Sequence, residues 1–440
     1  MTEYIPHTPE DIREMLSAIG LQSLEALFSD IPEEVRRRYR PLGLPRGDEA
    51  GVRRHLEGLA ERSTGRGLIP FLGGGIYDHF VPAVVDYVVS LPEFYTAYTP
   101  YQPEVSQGTL TWMFEYQTMV CELTGMEVAN SSMYDGATAL AEAVLMAHRT
   151  AGGRRVLVPR SLNPQVREVL ATYAWGAGLE LLDVPYSEEG RLTVEGIPDE
   201  LCALVVQQPN FFGVIEDLSG LKERIEKAFL IVYVNPIALA VLEPPGSFGA
   251  DVVVGEGQVL GNPMGFGGPL LGIFATRGEY LRRMPGRLAG RTVDAEGRPG
   301  YVMAFQTREQ HIRRERATSN ICTNSALCAL AATVYLAALG PEGLRRVALA
   351  SMERAHELAD RISSLPGFEL AFSGPFFNEF AVRCADPEEA VARLRQAGIA
   401  VLSPELVAKA GLEGAFLVAV TEKRTQEELT RFVEALKGGR

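Results

Sequence analysis

Three phenols and a carboxylate fall within one short stretch of this chain, Tyr95, Tyr98, Tyr101 and Glu104 in EFYTAYTPYQPEVSQ. Pro100 and Pro103 interrupt it, so a loop rather than a helix is expected. Such a loop can bring hydroxyl donors and an acid to a small polar substrate. The same composition suits aromatic packing at a subunit interface, where Tyr is enriched. A second polar stretch, ATSNICTN, offers Thr318, Ser319 and Asn320 to a phosphate or carboxylate. Its competing use is to cap the helix that follows, with Thr323 or Asn324 as the N-cap. A third stretch, SSMYDGATALAEA, sets hydroxyls and Gly136 at a helix start, a natural place for an anion.

Other chemistry is sparse. The chain has five lysines, Lys222, Lys227, Lys409, Lys423 and Lys437, so none lies between 227 and 409. Cys121, Cys202, Cys322, Cys328 and Cys384 are far apart and make no C-x-x-C pattern; mostly apolar neighbours suggest buried thiols. His79 and His311 lack a helix-spaced partner, so no metal site is expected. Leu72-Gly73-Gly74-Gly75 lacks the spacing of a dinucleotide fingerprint.

The elements that must position these groups follow from periodicity. Residues 1–65 read as a helical segment, opened by the cap signal Thr8-Pro9-Glu10-Asp11 and punctuated at Gly20. From Gln117 to Arg277, helix candidates such as ATALAEAVLMAHRTA and NPQVREVLATYAWGAG alternate with short apolar runs such as ALVVQQP, LIVYVN and ADVVVG. Continuous apolar strands between single helices imply a mostly parallel sheet covered on both faces, here in a large α/β domain spanning 66–330. DLSGLKERIEKA is expected to be a helix with Lys222 and Lys227 exposed on it. The order strand, strand, helix, strand, strand, helix beyond residue 365 implies a small α+β domain, with its boundary placed at 331–440. A net charge of −14 argues against nucleic acid as a partner, and the basic run Arg308–Arg316 is broken by Glu309 and Glu315. The N-terminus lacks the basic and apolar segments of a secretory signal, and a cytoplasmic location is expected.

Four blocks, FLGGGIYDHFVPAVVDYVVS, EFYTAYTPYQPEVSQGTLTWMFEYQT, NSSMYDGATALAEA and QTREQHIRRERATSNICTN, resemble glycine decarboxylase, the P-protein of the glycine cleavage system. The resemblance runs over essentially the whole chain and is to subunit 1, the N-terminal half, of the two-subunit form. It implies the fold of the pyridoxal-phosphate (PLP) transferases related to aspartate aminotransferase, called fold type I. In that fold PLP is bound by a lysine just past a strand that here reads GADVVVGEGQVLGNPMGFGGP and contains none. Gln258-Val259-Leu260 stand where the catalytic subunit resembles His-Lys-Thr. Asn235 stands in LIVYVNPIALA where an Asp would hold the pyridine nitrogen protonated, and Asn carries no charge to do so. Gly136, Asn235, Gln258 and Val259 therefore read as a vestigial cofactor site.

The resemblance implies a PLP-bearing subunit 2 as partner, in an α2β2 assembly. The complex would decarboxylate glycine and pass the aminomethyl group to the lipoyl arm of H-protein, while the isolated chain is expected to be inactive. Tyr95, Tyr98, Tyr101 and Glu104 would form part of the substrate wall, and Thr318, Ser319 and Asn320 would touch the partner's cofactor. Two rivals remain. An ordinary aminotransferase or cysteine desulfurase needs a lysine near 250–265; a scaffold that only stabilises its partner does not need the polar tyrosine loop.

Overall fold

A computed structural model describes residues 6–438 except 46 and 66, and divides the chain into two compact units, 1–67 and 68–440. In the first unit, Thr8 caps the helix Pro9–Ala18. Its Oγ1 accepts from the Asp11 N–H at 3.2 Å, while Asp11 accepts from the Thr8 N–H at 2.7 Å. This reciprocal pair satisfies donors that the first helical turn would otherwise leave free. The helix Glu33–Arg38 follows, and a longer one, Glu49–Glu61, is capped by Asp48.

The second unit is built on a seven-stranded sheet. Its strands are β1 (Val128–Ala129), β2 (Arg155–Pro159), β3 (Glu180–Val184), β4 (Leu201–Gln208), β5 (Phe229–Val234), β6 (Val252–Glu256) and β7 (Gly272–Thr276), in the order β1-β7-β6-β5-β4-β2-β3. Strands β3, β2, β4, β5 and β6 pair in parallel, and β7 runs antiparallel to β6 and β1. Strands β5, β6 and β7 are buried at every position, as continuous apolar runs require. The helices α1 (Gln107–Thr124), α2 (Gly136–Ala151) and α3 (Pro164–Ala177) belong to this layer. Two buried clusters, centred on Leu204, Val232 and Val253 and on Val158, Val205 and Val254, use alternate residues of the same strands.

The stretch DLSGLKERIEKA departs from expectation, because only Leu221–Ile225 is helical. Asp217 turns the chain by accepting from the Ser219 N–H, Gly220 has a φ of 69°, and Glu226 ends the helix at a φ of 48°. Lys222 is not an exposed lysine: its Nζ lies 2.7 Å from the buried Asp251 carboxylate and 2.8 Å from the Ala228 carbonyl. Strands β8 (Leu288–Val293) and β9 (Pro299–Ala304) form a hairpin whose turn is tied by Asp294.

The helix α4 (Ala326–Ser363) spans the expected boundary at residue 330 and packs on α1, on the helix Ala83–Val89 and on the C-terminal sheet. By length and composition it could cross a bilayer, but half of its most apolar window is buried. It is broken at Gly340, with a φ of 61° just ahead of Pro341. Strands β10 (Phe368–Leu370), β11 (Glu379–Cys384) and β12 (Ala415–Ala419) make an antiparallel sheet in the order β10-β11-β12. The helices α5 (Pro387–Gln396) and α6 (Gln426–Lys437) contribute to the same buried cluster. The strand Ile399–Val401 joins neither large sheet and pairs in parallel with Ile69–Phe71.

Candidate functional site

The tyrosine stretch is a loop apart from one helical turn, Pro92–Tyr95. Tyr98 is 82% exposed and Tyr95 67%, and neither phenol hydroxyl meets a partner among the described residues. Both line a cavity of about 380 Å³. Its lining joins apolar side chains, among them Trp112, Met113, Cys328 and Leu330, to the polar Thr99, Thr323, Asn324 and Ser325 and the buried Arg287. Tyr101 stands one step behind this wall, and Glu104 is exposed and outside the lining.

Arg287 ties the site together. It lies immediately before β8, is 4% exposed, and donates to Thr99 Oγ1 at 2.7 Å, Tyr101 Oη at 3.3 Å and the Cys322 carbonyl at 2.9 Å. Its guanidinium carbon sits 5.7 Å from the centre of the Tyr101 ring, whose edge also meets His311. The Ser131 N–H and Oγ both donate to the Arg287 carbonyl, and Gln117 brackets Ala289 with one bond in each direction. The loop and the segment leading into α4 are thus fixed by one buried cation.

Thr323 and Asn324 do not cap α4, contrary to one expectation. Ser325 is the N-cap and makes no side-chain capping bond; its Oγ donates to the Tyr134 carbonyl instead. Arg287 occupies Thr323, and Asn324 Nδ2 donates to the Ser131 carbonyl at 3.1 Å. Thr318, Ser319 and Asn320 lie outside the cavity. The Thr318 N–H donates to the Arg308 carbonyl, Ser319 Oγ accepts from the Ile321 N–H, and Asn320 is exposed. In the basic run, Arg308 is partly buried and donates to the Met284 and Gly286 carbonyls; burial lowers its pKa to about 10.

A second cluster lies at the carboxyl ends of β5 and β6, where open α/β sheets bind ligands. Gly136 opens α2, and its N–H donates to Glu256 Oε2 at 2.9 Å. Glu256 Oε1 accepts from the Gln258 and Leu271 N–H groups, each at 2.9 Å. Burial pushes this carboxyl up to about 7, against the three N–H groups that favour its charge. A Cβ on residue 136 would fall 2.5 Å from Tyr233 Oη and 2.8 Å from the Glu256 nitrogen, so only glycine fits here. Gln258 is buried and bridges both backbone groups of Tyr77 and the Asn262 carbonyl. Val259 is a core residue. Asn235 accepts from the Ile237 N–H at 3.0 Å, closing a local turn. The anion-binding end of α2 is taken up by the chain's own carboxylate.

Reading the sequence missed Arg287 and Glu256. The usable signal was a lone charge in an apolar setting, Arg287 in MPGRLAG and Glu256 in VVVGEG, because such a charge is buried only where it is well bonded.

This sheet order, with a long helix leading to a small antiparallel sheet, defines a PLP-transferase fold of type I. A glutamate decarboxylase from Lactobacillus brevis shares it over 92% of this chain and 95% of its own, with a TM-score of 0.67 at 12% identity, a likeness of fold alone. Much closer is the solved glycine decarboxylase (P-protein) of the glycine cleavage system in inhibitor-bound form. It has a TM-score of 0.93 and 46% identity over 99% of both chains. A protein of Carboxydothermus hydrogenoformans named "Probable glycine dehydrogenase (decarboxylating) subunit 1" is 50% identical over the full length of both chains. The profile of the glycine cleavage system P-protein matches residues 2–436, and the chain belongs to that family.

Proposed function

We propose that this chain is the subunit of glycine decarboxylase that carries no PLP and completes an active site whose cofactor lysine sits on a subunit-2 partner. The observation that carries the reading is the filled strand-end cluster. No amine stands at residues 256–260, Asn235 replaces an acid, and the helix start that would hold a phosphate binds Glu256. These residues do not suit PLP on this chain.

The cavity edged by Tyr95, Tyr98, Thr99 and Thr323 is the part of the chain suited to face another active site. Its free phenols can donate hydrogen bonds, and its apolar side chains exclude water from what they hold. PLP on the partner would supply the electron sink for decarboxylation. Glycine is the substrate in this reading, and the lipoyl arm of H-protein takes the aminomethyl group. An α2β2 assembly in the cytoplasm belongs to the same proposal, which size-exclusion chromatography and cell fractionation check.

The deciding measurement is an absorbance scan of the purified chain after incubation with PLP, alone and with the subunit-2 partner. The chain alone should develop no band of lysine-bound cofactor, and the mixture should show the band together with glycine-dependent release of CO2. A borohydride-trapped cofactor on this chain alone would overturn the reading.

A further inference from the structure

Arg287 does more than cross-link two segments. A guanidinium has only N–H donors and no acceptor. Nη1 donates to Thr99 Oγ1 at 2.7 Å and to Thr323 Oγ1 at 3.2 Å, with Asn324 Oδ1 at 3.5 Å, and Nη2 donates to Tyr101 Oη at 3.3 Å. Each hydroxyl has a single hydrogen, and a hydroxyl that accepts from the guanidinium must turn that hydrogen away from it. None of the three hydroxyls donates to another group among the described residues, and Thr99 and Thr323 line the cavity. Arg287 is also the one charged side chain in the lining. The nearest carboxylate, Glu309, lies outside the lining, 3.9 Å from Nε, beyond hydrogen-bond reach. The lining therefore has a single cation, paired from outside the cavity by Glu309, and two hydroxyls whose hydrogens are free to turn toward a ligand, with no acidic group among the described lining residues to repel an anion.

We propose that Arg287 is a positioning residue that turns the Thr99 and Thr323 hydroxyls into donors and so makes the cavity a receptor for an oxyanion, a carboxylate or a phosphate. Its affinity for such a group is a property of this chain. Only the source of the oxyanion, the substrate carboxylate or the phosphate of the partner's cofactor, rests on the function proposed above.

The test begins with the isolated chain, titrated separately with acetate and inorganic phosphate by calorimetry. Wild type should bind at least one saturably at millimolar concentration. Thr99→Val with Thr323→Val should weaken it at least about tenfold, since two hydroxyl donors to a charged acceptor are lost while Arg287 stays in place. Arg287→Lys keeps the charge but gathers its donors on one nitrogen, which cannot span the oxygens that Nη1 and Nη2 reach separately, and should weaken binding at least as much. If Arg287→Lys fails to fold, the two threonine changes still decide the matter. Equal binding by the double variant, or none by wild type, overturns the proposal. In the reconstituted complex, a raised KM for glycine with kcat little changed assigns the carboxylate, and faster loss of PLP on dialysis assigns the phosphate. Weakened anion binding by the double variant, with KM and PLP retention in the complex unaltered, sustains the receptor and refutes its place in the partner's active site.

Discussion

Glu256→Gln should change how the stability of this chain depends on pH. Burial holds the Glu256 carboxyl at about 7, whereas an unfolded glutamate titrates near 4.5. A group whose folded value is raised stabilises the fold below 4.5, and that stability is lost as pH rises to 7, because the unfolded chain releases its proton first. At about 1.4 kcal/mol per pH unit, the interval is worth roughly 3 kcal/mol. Glu216 and Glu379 are also buried and pushed up to about 7, so with Glu256 they carry most of the wild-type slope, and burial raises Glu142 as well. Gln cannot titrate, and the variant should lose about a third of the fall in unfolding free energy between pH 5 and pH 7.5. Urea denaturation of the isolated chain at half-unit pH steps reads this directly. Parallel profiles for variant and wild type would show that the three N–H groups on Glu256 keep it ionised throughout. Burial would then not govern the protonation of Glu256.

Val259→Lys alone should produce no cofactor band with PLP, because Glu256 still fills the helix start; a band in the single variant would refute that obstruction. Tyr98→Phe should leave stability within about 0.5 kcal/mol, as its hydroxyl is free and exposed, yet lower turnover in the reconstituted complex. Unchanged turnover would favour a subunit that only stabilises its partner. Gly73→Ala should destabilise by about 2–4 kcal/mol, since the new methyl falls 2.0 Å from Glu379 Oε1 and 2.7 Å from the Ala419 methyl. An unmoved urea midpoint would show that Glu379 yields without cost.

The parallel sheet was legible because its strands are buried on both faces, which forces unbroken apolar runs such as LIVYVN and ADVVVG. The cap at Thr8 and the helix start at Gly136 were legible because helix initiation is local chemistry with a fixed spacing. Tyr95 and Tyr98 stood out by type, and they do edge the cavity. What organises them did not stand out: Arg287 lies 186 residues beyond Tyr101, and no periodicity links a single arginine to hydroxyls that distant. The failed helix over 217–228 has the converse cause. Its amphipathic spacing was real, but Asp217 and Gly220 turn the chain ahead of Leu221 and Glu226 ends the helix, while Lys222 loses its expected exposure to Asp251, a partner that spacing cannot reveal.

The parallel pairing of Ile69–Phe71 with Ile399–Val401 bears on how the molecule is made. The glycine run just after the first strand is fastened by the same late part of the chain, through Glu379 to the Gly74 N–H at 2.8 Å and to Tyr77 Oη at 2.7 Å. Neither fastening exists until the ribosome has delivered most of the polypeptide. The parallel sheet can assemble earlier from neighbouring strands, so the nascent chain holds a formed core with an unfastened leading segment for much of its synthesis. Chaperone capture and premature proteolysis should fall on residues 68–80 in that interval, and a chain halted before residue 399 should remain sensitive there however well its sheet has formed.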